Sequence, residues 1–132
     1  MTNSDPAARP AETAEKKGKK KYKYRLMFLP QALQEWQALD GSVKDNLKKL
    51  LAKRLDNPHV PGGELHGDLA GCYKIKLNKQ GVRLVYAVED RVLIVMVMAV
   101  DRREDSVVYR SAMTRLTEKT IALSRAKEKP AS

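Results

Sequence analysis

Residues 72–88 read CYKIKLNKQGVRLVYAV, and this stretch decides the fold. Apolar and polar side chains alternate from Cys72 to Leu77 and again from Val82 to Val88, with the period of two that is typical of β-strands. Asn78 to Gly81 separates the two runs and has the composition of a tight turn. The stretch therefore predicts a β-hairpin with a four-residue loop.

The loop length fixes which residues of the hairpin face each other. With four loop residues, Leu77 faces Val82 and Lys76 directly faces Arg83. Lys74 lies on the same side as Lys76, so one face carries three cations. Like charges directly opposite each other destabilise a sheet, and a bound phosphate would compensate for this. An exposed face that carries Lys and Arg only for solubility or edge protection is the alternative, and the pattern leaves it open.

The opposite face of the hairpin is apolar and is predicted to pack against helices, which leaves the cationic face open. A further strand, from Arg91 to Val100, follows after Glu89 and Asp90, so the three strands are predicted to form an antiparallel meander. The predicted buried set is Tyr73, Ile75, Leu77, Val82, Leu84, Tyr86 and Val88.

The chain upstream of the hairpin predicts one strand and two helices. Residues from Lys21 to Phe28 alternate as a strand, and a helix beginning at Pro30 places Trp36 on its apolar side until Asp40 and Gly41. Ser42 can cap a second helix, which Asn57 and Pro58 end. Its apolar stripe is Val43, Leu47, Leu50, Leu51 and Leu55, and its predicted solvated face is Lys44, Lys48, Lys49, Lys53 and Arg54.

A last helix begins at Asp105 or Ser106, with Val108, Ala112 and Leu116 on one side, and becomes polar and frayed beyond Thr117. The predicted fold is thus α+β, with an N-terminal strand, a helical hairpin, a three-stranded meander that completes one sheet, and a C-terminal helix. We expect a disordered basic tail at 1–20, one domain at 21–116, and a polar C-terminal extension, partly helical or disordered, at 117–132.

Composition limits the classes of function. The 132 residues include 26 Lys and Arg against 16 Asp and Glu, a formal net charge of +10 that favours anionic partners. A single cysteine, Cys72, leaves no internal disulfide and no zinc set, and we find no phosphate-binding glycine loop. The longest apolar run, Val92 to Val100, is too short to span a bilayer. We therefore expect a cytoplasmic protein without a metal or cofactor.

Several short stretches resemble the RelE toxin family. They are Cys72 to Leu77, Gly81 to Tyr86, Arg102-Arg103-Glu104, and Ser106 with Val108-Tyr109, and the resemblance extends upstream through ALQEW at 32–36 and LKK at 47–49. It covers about residues 22–116. It implies an endoribonuclease that cuts messenger RNA in the ribosomal A site, is silenced by a RelB-type antitoxin, and binds operator DNA only within that toxin-antitoxin complex.

The same resemblance implies a catalytic set, which is Lys74, Lys76, Arg83, Arg103 and Tyr109. Lys76 is the candidate base, because neighbouring Arg83 disfavours its charged form and can lower its pKa. Lys74 and Arg83 can neutralise the phosphate oxygens, and Arg103 can stabilise charge on the leaving group while water delivers the proton. Tyr109 can stack on a base, although partial core packing is the simpler role for a helical tyrosine.

This chain departs from the family at its two ends and at Asp101 and Asp105, where relatives can carry Gly and Arg. Neither His59 nor His66 is placed to take part in RNA cleavage. Two alternatives stay open: a ParE-like toxin that acts by binding gyrase, and a noncatalytic basic module that binds nucleic acid. A ParE-like toxin has no need of the clustered lysines and arginines, which argues against the first alternative.

Overall fold

A computed structural model of the chain describes residues 22–102 and 105–128. The predicted tail at 1–20 and Arg103 lie outside the described residues. The described part confirms the predicted α+β class. Its elements are β1 (Arg25–Phe28), α1 (Pro30–Gln37), α2 (Gly41–Asp56), a single 3-10 turn (Gly67–Leu69), β2 (Cys72–Leu77), β3 (Val82–Glu89), β4 (Ile94–Asp101), α3 (Asp105–Thr114) and α4 (Leu116–Glu128).

The four strands form one sheet in the order β1-β4-β3-β2, in which β1 is parallel to β4 and the other neighbours are antiparallel. Strand β4 therefore has a strand on each side, and both α1 and α3 contact it. Its residues 94–100 are all buried. A strand covered on both faces needs a continuous apolar run rather than an alternating one, which explains the sequence IVMVMAV.

The two helices upstream of the meander form as predicted, with one difference at a cap. Trp36 is buried on α1, and α2 buries Val43, Leu47, Leu51 and Leu55 as one stripe. The residue before α2 is Asp40, which makes no side-chain capping bond, so the predicted cap at Ser42 is wrong. Helix α2 ends at Asp56, before Pro58, whose ring cannot continue the helical hydrogen bonds.

Two strands begin later than the sequence predicted. The amides of Lys23 and Tyr24 bond to Asp56 and Leu55 at the end of α2, so β1 begins at Arg25 rather than at Lys21. Residues 90–93 form a turn in which Leu93 has a φ of 55°, so β4 begins at Ile94 rather than at Arg91. In the first case hydrogen bonds to the end of α2, and in the second case the turn, take the place of β-sheet hydrogen bonds at the start of the predicted strand.

The cationic face of the hairpin is only partly open, contrary to the prediction. Cys72, Val85 and Ala87 alternate onto that face, and all three are buried. Helix α3 contacts β3 and β4 and covers this part of the face with Val108 and Ala112, both fully buried. The open region is therefore confined to one end of the sheet. On the other face, Leu77 and Val88 are half-buried and the rest of the predicted set is buried.

The predicted last helix is divided in two at Arg115. The Arg115 guanidinium donates to both carboxylate oxygens of Glu35 on α1, at 2.9 and 2.8 Å, and to the Met98 carbonyl at 3.0 Å. The same carboxylate accepts the Val100 amide at 3.0 Å. Helix α4 then packs Leu116, Ala122, Leu123 and Ala126 against the core. None of the helices in the described ranges is long and apolar enough to cross a membrane.

Candidate active site

Lys76 on β2 and Arg83 on β3 are direct partners in the antiparallel ladder, as the loop length predicted. Their side chains leave the same face, and Cβ atoms of such partners lie roughly 5 Å apart. Lys76 is exposed and Arg83 is half-buried. Lys74, also half-buried, precedes Lys76 by two residues and shares this face. We call Lys74, Lys76 and Arg83 the cationic cluster.

Asp101 on β4 adds a carboxylate to this end of the sheet. It is the ladder partner of Arg83 on the side away from Lys76, so the three strands present a row of two cations and one anion. The paired cations predict a bound phosphate that compensates for their repulsion, and Asp101 supplies part of that compensation within the fold. It is half-buried.

A β-bulge is the reason that the sequence pattern did not show this neighbour. The ladder between β3 and β4 pairs Glu89 with Ile94 but shifts by one residue between Val85 and Tyr86. Without the shift, Val100 would stand opposite Arg83 and Asp101 would have no place in the row. Such an inserted residue moves every side chain beyond it to the other face.

The backbone of Lys74 is held from two sides. Its amide donates to the Gly63 carbonyl at 2.9 Å, and its carbonyl accepts from Arg54 Nη1 at 3.5 Å. Arg54 Nη1 also donates to the Tyr86 hydroxyl at 2.8 Å, and that hydroxyl donates to the Pro58 carbonyl at 2.8 Å. Arg54 is therefore a supporting residue beneath the hairpin, and its predicted place on the solvated face of α2 is wrong.

Tyr109 and Arg103 are the two predicted site residues outside the hairpin. Tyr109 lies on α3 next to the fully buried Val108 and is itself half-buried against the core. Its helix contacts β3, the strand that carries Arg83. A half-buried setting is compatible both with packing against the core and with stacking of the accessible part of the ring on a base. Arg103 lies outside the described residues.

His59 belongs to a hydrogen-bonded group on the opposite side of the sheet from the cationic cluster. Its Nδ1 bonds with the Tyr73 hydroxyl and its Nε2 with Asp90 Oδ1, both at 2.9 Å. The Tyr24 hydroxyl donates to the same Asp90 oxygen at 2.6 Å. The bonds from Tyr24 and then His59 lower the pKa of Asp90, while the bond to Asp90 and burial raise the pKa of Tyr24 to about 12. This group connects the residue just before β1 with β2 and with the turn before β4.

Within residues 22–102 and 105–128, no three His, Cys, Asp or Glu side chains gather as a set that could hold a metal ion. Cys72 is buried beneath the helical layer, and this burial raises the pKa of its thiol, opposed in part by Lys119. The residues of the candidate site are therefore cations on two adjacent strands, a neighbouring carboxylate, and a tyrosine on the helix beside them.

Comparison with known proteins defines the class of this fold. A family-level model described as "ParE toxin of type II toxin-antitoxin system, parDE" matches residues 26–107. The chain therefore belongs to the RelE/ParE family of toxins of type II toxin-antitoxin systems. Within this family it is similar to RelE: the mRNA interferase toxin RelE of Escherichia coli strain K12 is 43% identical over 93 residues, which are 70% of this chain and 97% of RelE.

Solved structures agree with the sequence match. The free toxin RelE of E. coli, in a doubly substituted variant, is 42% identical and superposes with a TM-score of 0.65, covering 70% of this chain and 97% of that one. RelE in the intact E. coli RelBE toxin-antitoxin complex is 42% identical, with a TM-score of 0.59, covering 61% and 98% of the two chains. These findings confirm the predicted family and fold. The family-level match ends at residue 107, so α4 lies outside it.

Proposed function

We propose that this chain is the toxin of a toxin-antitoxin pair and an endoribonuclease that cleaves messenger RNA in the ribosomal A site. The observation that carries the proposal is the pairing of Lys76 with Arg83 at the open end of the sheet. Two cations fixed side by side by backbone register form a binding place for a phosphate, whose charge offsets their repulsion. The 43% identity to an mRNA interferase over nearly its whole length supports the same chemistry.

In the proposed reaction the 2′-oxygen of one nucleotide attacks the adjacent phosphorus while the bond from phosphorus to the 5′-oxygen breaks. Lys76 takes the 2′-hydroxyl proton as general base. Lys74 and Arg83 bind the two nonbridging oxygens, whose charge grows as the phosphorane forms. The planar guanidinium of Arg83 can donate two parallel hydrogen bonds to these oxygens. The products are a 2′,3′-cyclic phosphate and a free 5′-hydroxyl.

The remaining two residues act on the leaving group and on the base. Arg103 stabilises the charge that develops on the 5′-oxygen, and a water molecule supplies its proton, because a guanidinium stays protonated in proteins. Tyr109 stacks on a nucleobase and turns the 2′-oxygen into line with the bond that breaks. These steps need only side chains of the protein and a water molecule, so the proposal includes no metal.

The proposed partner is a RelB-type antitoxin, which the RelBE complex of E. coli supports by analogy. The toxin acts in the cytoplasm, where messenger RNA is translated, and contacts operator DNA only as part of the toxin-antitoxin complex. An acidic or amphipathic antitoxin segment would complement the net charge of +10.

A gyrase-binding toxin is the second candidate, because the matching family-level model carries the ParE description. One pair of assays separates the two. Purified protein is added to ribosomes paused with a defined A-site codon, and in parallel to gyrase with supercoiled plasmid. A new 5′ end within the A-site codon, without change in the plasmid, supports the proposal. Linearised plasmid with intact messenger RNA would establish the gyrase candidate instead.

A further inference from the structure

Asp101 is an anion placed directly beside the residues that are proposed to bind phosphate. The ladder sets it opposite Arg83 on the same face, at the Cα spacing of neighbouring strands. It lies at the end of β4, next to Arg102, whose carbonyl is 3.8 Å from where a Cβ on Gly81 would lie. The carboxylate is thus at the same end of the sheet as the loop that joins Lys76 to Arg83.

The field of this carboxylate reaches beyond its own strand. The hydrogen bonds that Arg115 donates to Glu35 are the largest cause of the raised pKa of Arg115, and Asp101 adds to it through space. Asp101 therefore acts on a charged group beyond the sheet, in addition to facing Arg83 within it. Even in a well-hydrated setting, a unit charge about 5 Å from a charged ligand changes the binding affinity for that ligand severalfold.

We propose that Asp101 sets the affinity of this toxin for RNA. It lies in the same row as Lys76 and Arg83 and weakens the attraction of the cationic cluster for a phosphate. The inference rests on the proposed function only in taking the cationic cluster as the place where phosphate binds. A polyanion approaching Lys76 and Arg83 meets a net charge reduced by one. Release of the bound RNA is correspondingly faster.

The test measures the equilibrium binding of a short single-stranded RNA to the protein by fluorescence anisotropy, over a range of salt concentrations. The RNA carries 2′-O-methyl groups, so it has no 2′-hydroxyl to attack the phosphate and cannot be cleaved. Asp101→Asn removes the charge at nearly constant shape, and Asp101→Glu retains the charge. Asp45→Asn, on the exposed surface of α2, makes the same change in net charge at a position outside the row. Asp101→Ser is a second neutral variant for the case in which Asp101→Asn does not fold.

We expect the neutral variants at position 101 to bind the RNA about three- to tenfold more tightly at low salt. The slope of log Kd against log salt concentration should become steeper by about 0.7, which is the change expected for one further phosphate contact on a single strand. Asp101→Glu and Asp45→Asn should bind as the unchanged protein does. Unchanged or weaker binding by the neutral variants, or equal tightening by Asp45→Asn, would overturn the inference.

Cleavage of ribosome-bound messenger RNA, measured separately, keeps the two proposals apart. If the unchanged protein does not cleave but Asp101→Asn binds more tightly, the proposed function fails and the role of Asp101 stands. If the protein cleaves and the neutral variants bind no more tightly, the proposed function stands and the role of Asp101 fails.

Discussion

Lys76 and Arg83 face each other across β2 and β3, and Arg83 in turn faces Asp101 across β3 and β4. The backbone ladder therefore sets the order of these charges, so their arrangement does not depend on flexible side chains finding each other. A phosphate that binds there meets cations already in place, and less conformational freedom is lost on binding. This fixed order of charges is the basis for the first prediction.

Replacing Arg83 should abolish cleavage while the fold is retained. We expect Arg83→Ala to lower the single-turnover rate on ribosome-bound messenger RNA by roughly a hundredfold or more, because a preorganised donor to the developing charge is lost. Arg91→Ala is the matched control, since Arg91 is exposed in the turn before β4. A folded Arg83→Ala protein that cleaves at the unchanged rate would reject the cationic cluster as the site.

Tyr109 should act through its ring rather than its hydroxyl. Tyr109→Phe is expected to keep most of the activity, whereas Tyr109→Ala loses roughly ten- to a hundredfold in catalytic efficiency, the range given by about 1–3 kcal/mol of base stacking. Steady-state cleavage of both variants, with circular dichroism as a check on folding, measures this. If Phe proves as damaging as Ala, the phenol itself takes part in the chemistry.

The hydrogen bond from Tyr24 to Asp90 should stabilise the fold within a defined pH window. The pKa of Asp90 is lowered in the fold, so its contribution is present above the unfolded value and is lost as pH falls through the folded one. The pKa of Tyr24 is raised to about 12, so its contribution is full below pH 10 and is lost as pH rises toward 12.

Tyr24→Phe tests this window. At pH 7 we expect a loss of about 1 kcal/mol in the free energy of unfolding, and a loss that shrinks toward both pH 3 and pH 12. Thermal unfolding across this pH range measures it, with cleavage of ribosome-bound RNA unchanged, because the bond lies on the opposite side of the sheet. A loss that stays constant with pH would mean that the hydroxyl contributes nothing by this bond.

The ion pair between Arg115 and Glu35 should hold the C-terminal helices to the sheet. The side chains are 14% and 29% exposed, and each makes a further bond to the β4 backbone. Removing one partner leaves a largely buried charge and an unpaired β4 amide or carbonyl. We expect Arg115→Ala or Glu35→Ala to cost about 2–3 kcal/mol and to lower the Tm by roughly 10 °C or more.

The control for this pair is Arg91→Ala, which breaks the exposed ion pair to Glu89 and should cost at most about 0.5 kcal/mol. The double variant Arg115→Ala with Glu35→Ala should be little less stable than either single variant, because the two residues act as one unit. Simple additivity of the two losses would show that they stabilise the fold separately.

The parts of this fold that follow from local rules could be predicted, and the parts that depend on docking could not. The Lys76 and Arg83 pairing follows from a four-residue loop and strict alternation, both visible in the sequence. Asp101 could not be placed, because the one-residue shift between Val85 and Tyr86 leaves no mark in a strand that is apolar on both faces. The residue types of the cationic cluster were visible, but its anionic neighbour was not.

Tertiary contacts account for the other differences. Arg54 lies among lysines of similar spacing, and its contacts with the Tyr86 hydroxyl and the Lys74 carbonyl distinguish it from them. The break at Arg115 depends on Glu35, eighty residues away in sequence, and the pattern of Val108, Ala112 and Leu116 continues through it without a signal. Long-range partners of this kind override local helix and surface patterns.

Mapping new RNA 5′ ends in growing cells tests most directly whether the cationic cluster makes this chain a ribosome-dependent nuclease. The unchanged protein and Arg83→Ala are each expressed briefly, with translation active and with initiation blocked. We predict new 5′-hydroxyl ends inside translated codons for the unchanged protein, none above background for Arg83→Ala, and loss of the cuts when initiation is blocked. Equal cutting by Arg83→Ala would contradict the claim that the cationic cluster is the nuclease site. No cutting within codons by the unchanged protein, at a dose that stops growth, would contradict the claim that the chain is a ribosome-dependent nuclease.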